Sequence, residues 1–205
     1  MSPDHESLCI LTLLQFARTA HTADAMDEMA DRMWKEVLSK DPRVDPAMLA
    51  KVRIVNADPA NFTVALMLRQ YHLIMDLHYR LLVAAPGTEF ITSDNPVVMY
   101  NQLMAFERHG SSTGLASKGL QIFFPLSPAH MLIFYDPAVY GCEPRRSAHT
   151  ALLDSRDMDQ LNVLQVAAAL ENVYYSGPTA NVFRAVEAGK RYRRTNKAKI
   201  IKGPE

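Results

Sequence analysis

Phe90-Ile91-Thr92-Ser93-Asp94-Asn95-Pro96-Val97-Val98 carries an apolar, strand-like run into a polar bend and out again. Pro96 fixes its own φ and drives Asn95 toward extended conformations, so Asp94 and Asn95 stand at a sharp, non-helical corner. Such a corner can present a carboxylate reproducibly. It is equally the setting in which Asp, Asn and Ser side chains accept backbone N–H bonds and serve only the turn. Both readings stand at the level of sequence.

Working outward from the corner, the chain changes character. Glu89 to Ser93, Val97 to Tyr100, Leu120 to Phe124 and His130 to Tyr135 are short runs rich in aromatic and β-branched residues, the pattern of strands. Pro125-Leu126-Ser127-Pro128-Ala129 separates the last two and predicts an antiparallel hairpin. The polar stretch Asn101 to Gly119, with Arg108, His109 and Lys118, reads as a long loop, functional or mobile. Before the corner the period is helical. Helices are expected from Ser7 to about Ala20, from an N-cap at Thr22 to Ser39, from Pro46 to Ile54, and from an N-cap at Asp58 with Pro59 at the first position through Leu82, where Pro86-Gly87 stops the run. Two more follow the strands, Asp154 to Val173 and Thr179 to Ala188. The expected fold is α+β: N-terminal helices and a C-terminal helix packed around a small, mostly antiparallel sheet built from residues about 89–135. A single domain is expected over 1–189, followed by a basic tail over 190–205.

Bulk properties narrow the function classes. With 205 residues the chain can bury a core without disulfides or metal. Its 22 basic and 22 acidic residues balance, so no global field points to nucleic acid or a membrane. Cys9 and Cys142 have no metal-ligand spacing, and the reading is a reducing, cytoplasmic protein with no signal peptide and no membrane span.

Candidate chemistry centres on Asp94. Arg18, Asp94, Ser127 and Asn162 are each polar residues lodged in or beside apolar elements. Buried polar groups need partners, so convergence at one end of the sheet would satisfy all four, with Arg18 keeping Asp94 ionised. The same picture also describes a purely structural network. His72 and Asp76 share a helical face one turn apart, but no third ligand accompanies them, and no metal site is assigned. Ser93 and Ser127 lack the Gly-x-Ser-x-Gly elbow, and no glycine-rich phosphate loop occurs. Met26, Met29 and Met33 form a stripe read as core filling. Lys190, Arg191, Arg193, Arg194 and Lys197 lie in a run of seven basic residues within thirteen positions, a possible phosphate contact for nucleic acid or simply a solvated end.

Taken together the motifs resemble a bacterial family, domain of unknown function 4238. Leu14-Gln15 followed by Arg18-Thr19 is similar to its Gln-x-x-Arg-Thr segment, and the corner Phe90 to Val98 resembles its central signature. Phe124-Pro125-Leu126-Ser127-Pro128 resembles the next block, and Asn162 with Gln165 before Tyr174-Tyr175-Ser176 the last. The family's usual His-x-x-Pro block is missing before Ser7, which implies a shortened member or a start assigned downstream of the true one. The resemblance implies a set of polar positions, Gln15, Arg18, Ser93, Asp94, Asn95, Ser127 and Asn162, and no reaction or cofactor. Two functions remain open. One is an enzyme, hydrolytic on a small or phosphorylated ligand, with Asp94 as acid, base or metal carboxylate. The other is a non-catalytic binding or scaffold domain.

Overall fold

The computed structural model describes residues 3–105, 113–141, 149–151, 155–177 and 179–192. The chain divides into two compact units: Ser7–Tyr71, whose described regular elements are helices, and Met1–Glu6 with His72–Glu205, which carries the strands. Of the expected basic cluster, Lys190 and Arg191 are exposed in a short 3₁₀ turn, while Arg193, Arg194 and Lys197 lie outside the described residues, as do Arg108 and His109.

In the helical unit, α1 (Pro3–Ala17, its first turn counted with the strands) precedes α2 (Ala20–Leu38), α3 (Pro46–Leu49) and α4 (Pro59–Gln70). Thr19, not Thr22, is the N-cap of α2; its hydroxyl accepts the Thr22 N–H at 3.3 Å. Asp58 caps α4 as expected, accepting the Asn61 N–H at 3.1 Å, with Pro59 at the first helical position. Two acids one turn apart on α2 hold an extended segment: Asp31 accepts the Ile54 N–H at 2.7 Å, and Asp27 the Asn56 N–H at 3.1 Å. That arrangement reverses the expectation for the methionine stripe. With Asp27 on the packed face of α2, Met29 and Met33 are 56% and 54% exposed, so they fill no core here.

The expected helix from Asp58 to Leu82 is a second correction. It ends at Gln70, a 3₁₀ turn covers Tyr71–Ile74, and His78–Val83 is a strand, β1. His78-Tyr79-Arg80-Leu81-Leu82-Val83 pairs antiparallel along its whole length with His130–Tyr135 (β5). Ladder bonds and burial of Leu82 outweigh an ambiguous local period. His72 and Asp76 therefore do not share a helical face. Pro86-Gly87 is a type II turn: Gly87 takes φ 76° and the Thr88 N–H reaches the Ala85 carbonyl at 3.1 Å.

The five-stranded sheet runs in the order β3 (Val98–Tyr100), β4 (Gln121–Ser127), β5, β1, β6 (His149–Ala151), with the first four antiparallel and β6 parallel to β1. The fold is α+β, with N-terminal helices, C-terminal helices and this four-strand antiparallel sheet. The expected hairpin is present, with a tighter turn than the sequence implied, Pro128-Ala129, and a bulge between Pro125 and Ser127. Two helices, α5 (Ser155–Ala168) and α6 (Ala180–Gly189), complete the unit, with a two-residue ladder between β2 (Thr92–Ser93) and β7 (Val173–Tyr174). Met158, Leu161 and Leu164 of α5 pack over Leu82, Val98, Phe123 and Met131 of the sheet, with Phe90 beside them. Val166 of α5 and Val182 of α6 meet over Ile91. Gly189 allows α6 its close approach, since a Cβ there would overlap Val166. Gly189→Ala should cost about 1–3 kcal/mol of stability, read as a lower midpoint in chemical denaturation with an unchanged m-value.

Candidate functional site

The corner is mostly backbone without a ladder. Of residues 89–96 only Thr92 and Ser93 are in a strand, so the remaining peptide groups must find other partners. Buried amide side chains supply them. Asn162 and Gln165 are three apart on α5, hence on one face, and both are fully buried. Asn162 donates to the Glu89 carbonyl at 2.8 Å and accepts the Ile91 N–H at 3.1 Å. Gln165 donates to the Pro96 carbonyl at 2.7 Å and accepts the Ser93 hydroxyl at 3.2 Å. Asn181 of α6 adds a second donor to the Glu89 carbonyl at 3.0 Å. From the corner itself, Asn95 donates to the Ala168 carbonyl at the end of α5, at 3.2 Å.

Asp94 works in the opposite direction. Its carboxylate accepts three consecutive backbone N–H groups beyond α5: Leu170 at 2.8 Å, Glu171 at 2.7 Å and Asn172 at 2.9 Å. The Asp94 N–H returns a bond to the Asn172 carbonyl at 3.2 Å. Partial burial alone would raise the pKa of Asp94, but the N–H groups of Asn172, Glu171 and Leu170 outweigh it and hold the carboxyl below its ordinary range. Within the strand-bearing unit, main-chain amides favour the ionised form of Asp94. Gln15 and Arg18 belong to the helical unit, Gln15 half-buried on α1 and Arg18 exposed just past its end.

A second carboxylate escaped the sequence reading. Glu89 is 4% exposed, and its carboxylate accepts the Ser176 hydroxyl, the Ser176 N–H at 3.0 Å, the Gly177 N–H at 3.3 Å and the Thr179 hydroxyl at 3.3 Å. Burial pushes its pKa up, and these bonds, led by the Ser176 hydroxyl, bring it below the ordinary value. The only hint in sequence was an acid opening an apolar run.

Beside the corner lies an open groove of about 310 Å³. Phe90, Tyr174, Tyr175, Pro125 and Pro128 line it together with Thr92, Leu126, Ser127 and Ser176, and none of these is charged. Asp94 and Asn162 are not among the lining residues. Ser127 is, and its oxygen sits 3.0 Å from His130 Nδ1 while accepting the Ala129 N–H at 3.2 Å. A serine beside a histidine invites a nucleophilic reading. Here the next residue is Pro128, which has no N–H to offer an oxyanion, and the Ser127 oxygen already closes the hairpin turn. Within the strand-bearing unit, then, Asp94, Ser127 and Asn162 each have their own, mostly backbone, partners. Among the described residues no group of three His, Cys, Asp or Glu side chains could hold a metal, and no helix is long and apolar enough to cross a membrane.

Because folding favours the ionised form of both carboxyls, their stabilisation is complete above the ordinary carboxylate pKa of about 4 and is lost as pH falls through the lower folded values. Asp94→Asn should cost on the order of 2 kcal/mol at neutral pH, since an amide NH₂ or a neutral oxygen would face the N–H groups of residues 170–172. Urea midpoints measured from pH 7 down to pH 3 should fall steeply for the parent chain and less steeply for Asp94→Asn and Glu89→Gln.

A family model described as a protein of unknown function (DUF4238) matches residues 10–179. No curated protein and no solved structure matches the chain.

Proposed function

The chain belongs to the DUF4238 family, and from its geometry we propose that it is a non-catalytic binding domain in which the polar corner is scaffold and the neighbouring groove is the contact surface. One observation carries the reading: both oxygens of Asp94 are already occupied by three backbone N–H groups, and Asp94 does not line the groove. A general acid or base must reach the proton it transfers, and a carboxylate with a lowered pKa is a weak base. Glu89 is likewise spent on Ser176, Gly177 and Thr179.

The groove suits a neutral ligand group. Its volume is at the small end of small-molecule sites, its rings come from Phe90, Tyr174 and Tyr175, and no lining side chain supplies a charge to select an anion or a cation. Tyr174 and Tyr175 are 53% and 51% exposed and flank the opening, where aromatic side chains contribute contact area at small entropic cost. Phosphorylated ligands would need a cation that this lining lacks. The corner's role is to keep the floor still: Phe90 is buried, and its N–H bonds the Pro128 carbonyl of the hairpin turn at 2.8 Å.

The test is a ligand-observed NMR screen of neutral aromatic fragments. Fragments should bind the parent chain, and their binding should weaken roughly tenfold in Tyr175→Ala, an exposed position whose change leaves the melting temperature nearly unaltered. Absence of any groove binder, or an Asp94→Asn variant that keeps full stability, would count against this reading.

A further inference from the structure

The first turn of α1 belongs to the strand-bearing unit and seats a histidine among aromatic rings of the sheet. The ring centroid of His5 lies 5.2 Å from that of Tyr79 on β1 and 6.4 Å from that of Phe134 on β5, the pair with Phe134 stacked at 25°. Phe134 is wholly buried, so the half-buried imidazole does the work of an apolar side chain over it. Its Nε2 atom is out of water and has no hydrogen-bond partner. In the neutral ring that is one unused polar atom. In the protonated ring it is a charged N–H with nothing to accept it, which costs much more.

The surroundings turn that cost into a preference. From β1, His78 brings a second imidazole, edge-on to Tyr135 of β5 at 6.1 Å. Arg80 follows it on the same side of β1, opposite to the side of Tyr79. Asp4 and Glu6 share the turn with His5 but project about 100° to either side of it around the helix axis. The start of a helix is the positive end of its dipole and repels a cation. Burial first, then His78 and the amino terminus, hold the pKa of His5 below its ordinary value, against the Leu77 main chain, which favours the proton. We infer that His5 is a proton-operated latch: as a neutral ring it holds the first turn of α1 on Tyr79 and Phe134, and on taking up a proton it leaves that seat and frees the turn from the sheet.

Because the seat favours the neutral ring, the latch is fully closed above the ordinary histidine pKa of about 6.5 and weakens as pH falls below it. Asp94 and Glu89 stay ionised until about pH 4, so the latch opens in a range where the corner is intact. Amide hydrogen exchange reads it directly: the N–H groups of Ser7, Leu8, Cys9 and Ile10 bond the carbonyls of the first turn of α1, and their protection factors report whether that turn is held. Between pH 7 and pH 5 these factors should drop roughly threefold or more in the parent chain, while those of α5 stay constant. The drop should shrink in His78→Gln, which removes the neighbouring charge, and vanish in His5→Phe, which keeps a ring in the seat that cannot be protonated. Equal protection at both pH values in the parent chain, or an undiminished drop in His5→Phe, would overturn the inference. So would a His5 ring resonance of the parent chain that titrates at or above the ordinary value, a readout that needs no variant.

Discussion

The strand-bearing unit depends on an exchange of hydrogen bonds between a corner of chain and a pair of helices. Apart from Thr92 and Ser93, residues 89–96 lie outside any ladder, and a buried peptide group left unpaired there costs several kilocalories per mole. Asn162, Gln165 and Asn181 take up those groups from α5 and α6. In return the corner gives Asp94 to the three amides beyond α5 and Asn95 to the helix's last carbonyl, while Glu89 binds the start of the segment leading into α6. Each partner stabilises the irregular backbone of the other.

That exchange accounts for the many polar residues buried around the corner. Asn162 and Gln165 are fully buried, Ser93 and Asn95 nearly so, and apart from the Ser93–Gln165 bond their partners are main-chain groups. Asp94 and Glu89 likewise spend their oxygens on donors of the same unit, Asp94 on the amides of 170–172 and Glu89 on Ser176, Gly177 and Thr179. The groove is built on the rigid product of this network. Phe90 forms part of its floor because the corner is clamped, and Tyr174 and Tyr175 flank it because β7 pairs with β2. The groove and the polar cluster are thus neighbours, and Asp94 and Asn162 do not line the groove.

Much of this was legible from the residues. The corner itself followed from Pro96 and Asn95, the hairpin from two aromatic runs around Pro125–Ala129, and the start of α4 from Asp58-Pro59, all of which are local and set by backbone sterics or capping. Where the reading failed, distance in sequence was the cause. β1 looked helical because six residues with ambiguous periodicity become a strand only when β5, some fifty positions later, supplies the ladder. The methionine stripe looked like core because its spacing says that it forms a face and says nothing of which way that face points.

What the sequence determined by itself, then, is the set of bends, caps and apolar periods, along with the presence of buried polar residues that would require partners. Which partners those are was decided only by tertiary structure. A carboxylate at residue 94 accepts hydrogen bonds equally well from a guanidinium, a substrate or a peptide N–H. Only the folded arrangement, by carrying the chain from α5 back past the corner, brings the amides of 170–172 within 3 Å of the Asp94 carboxylate.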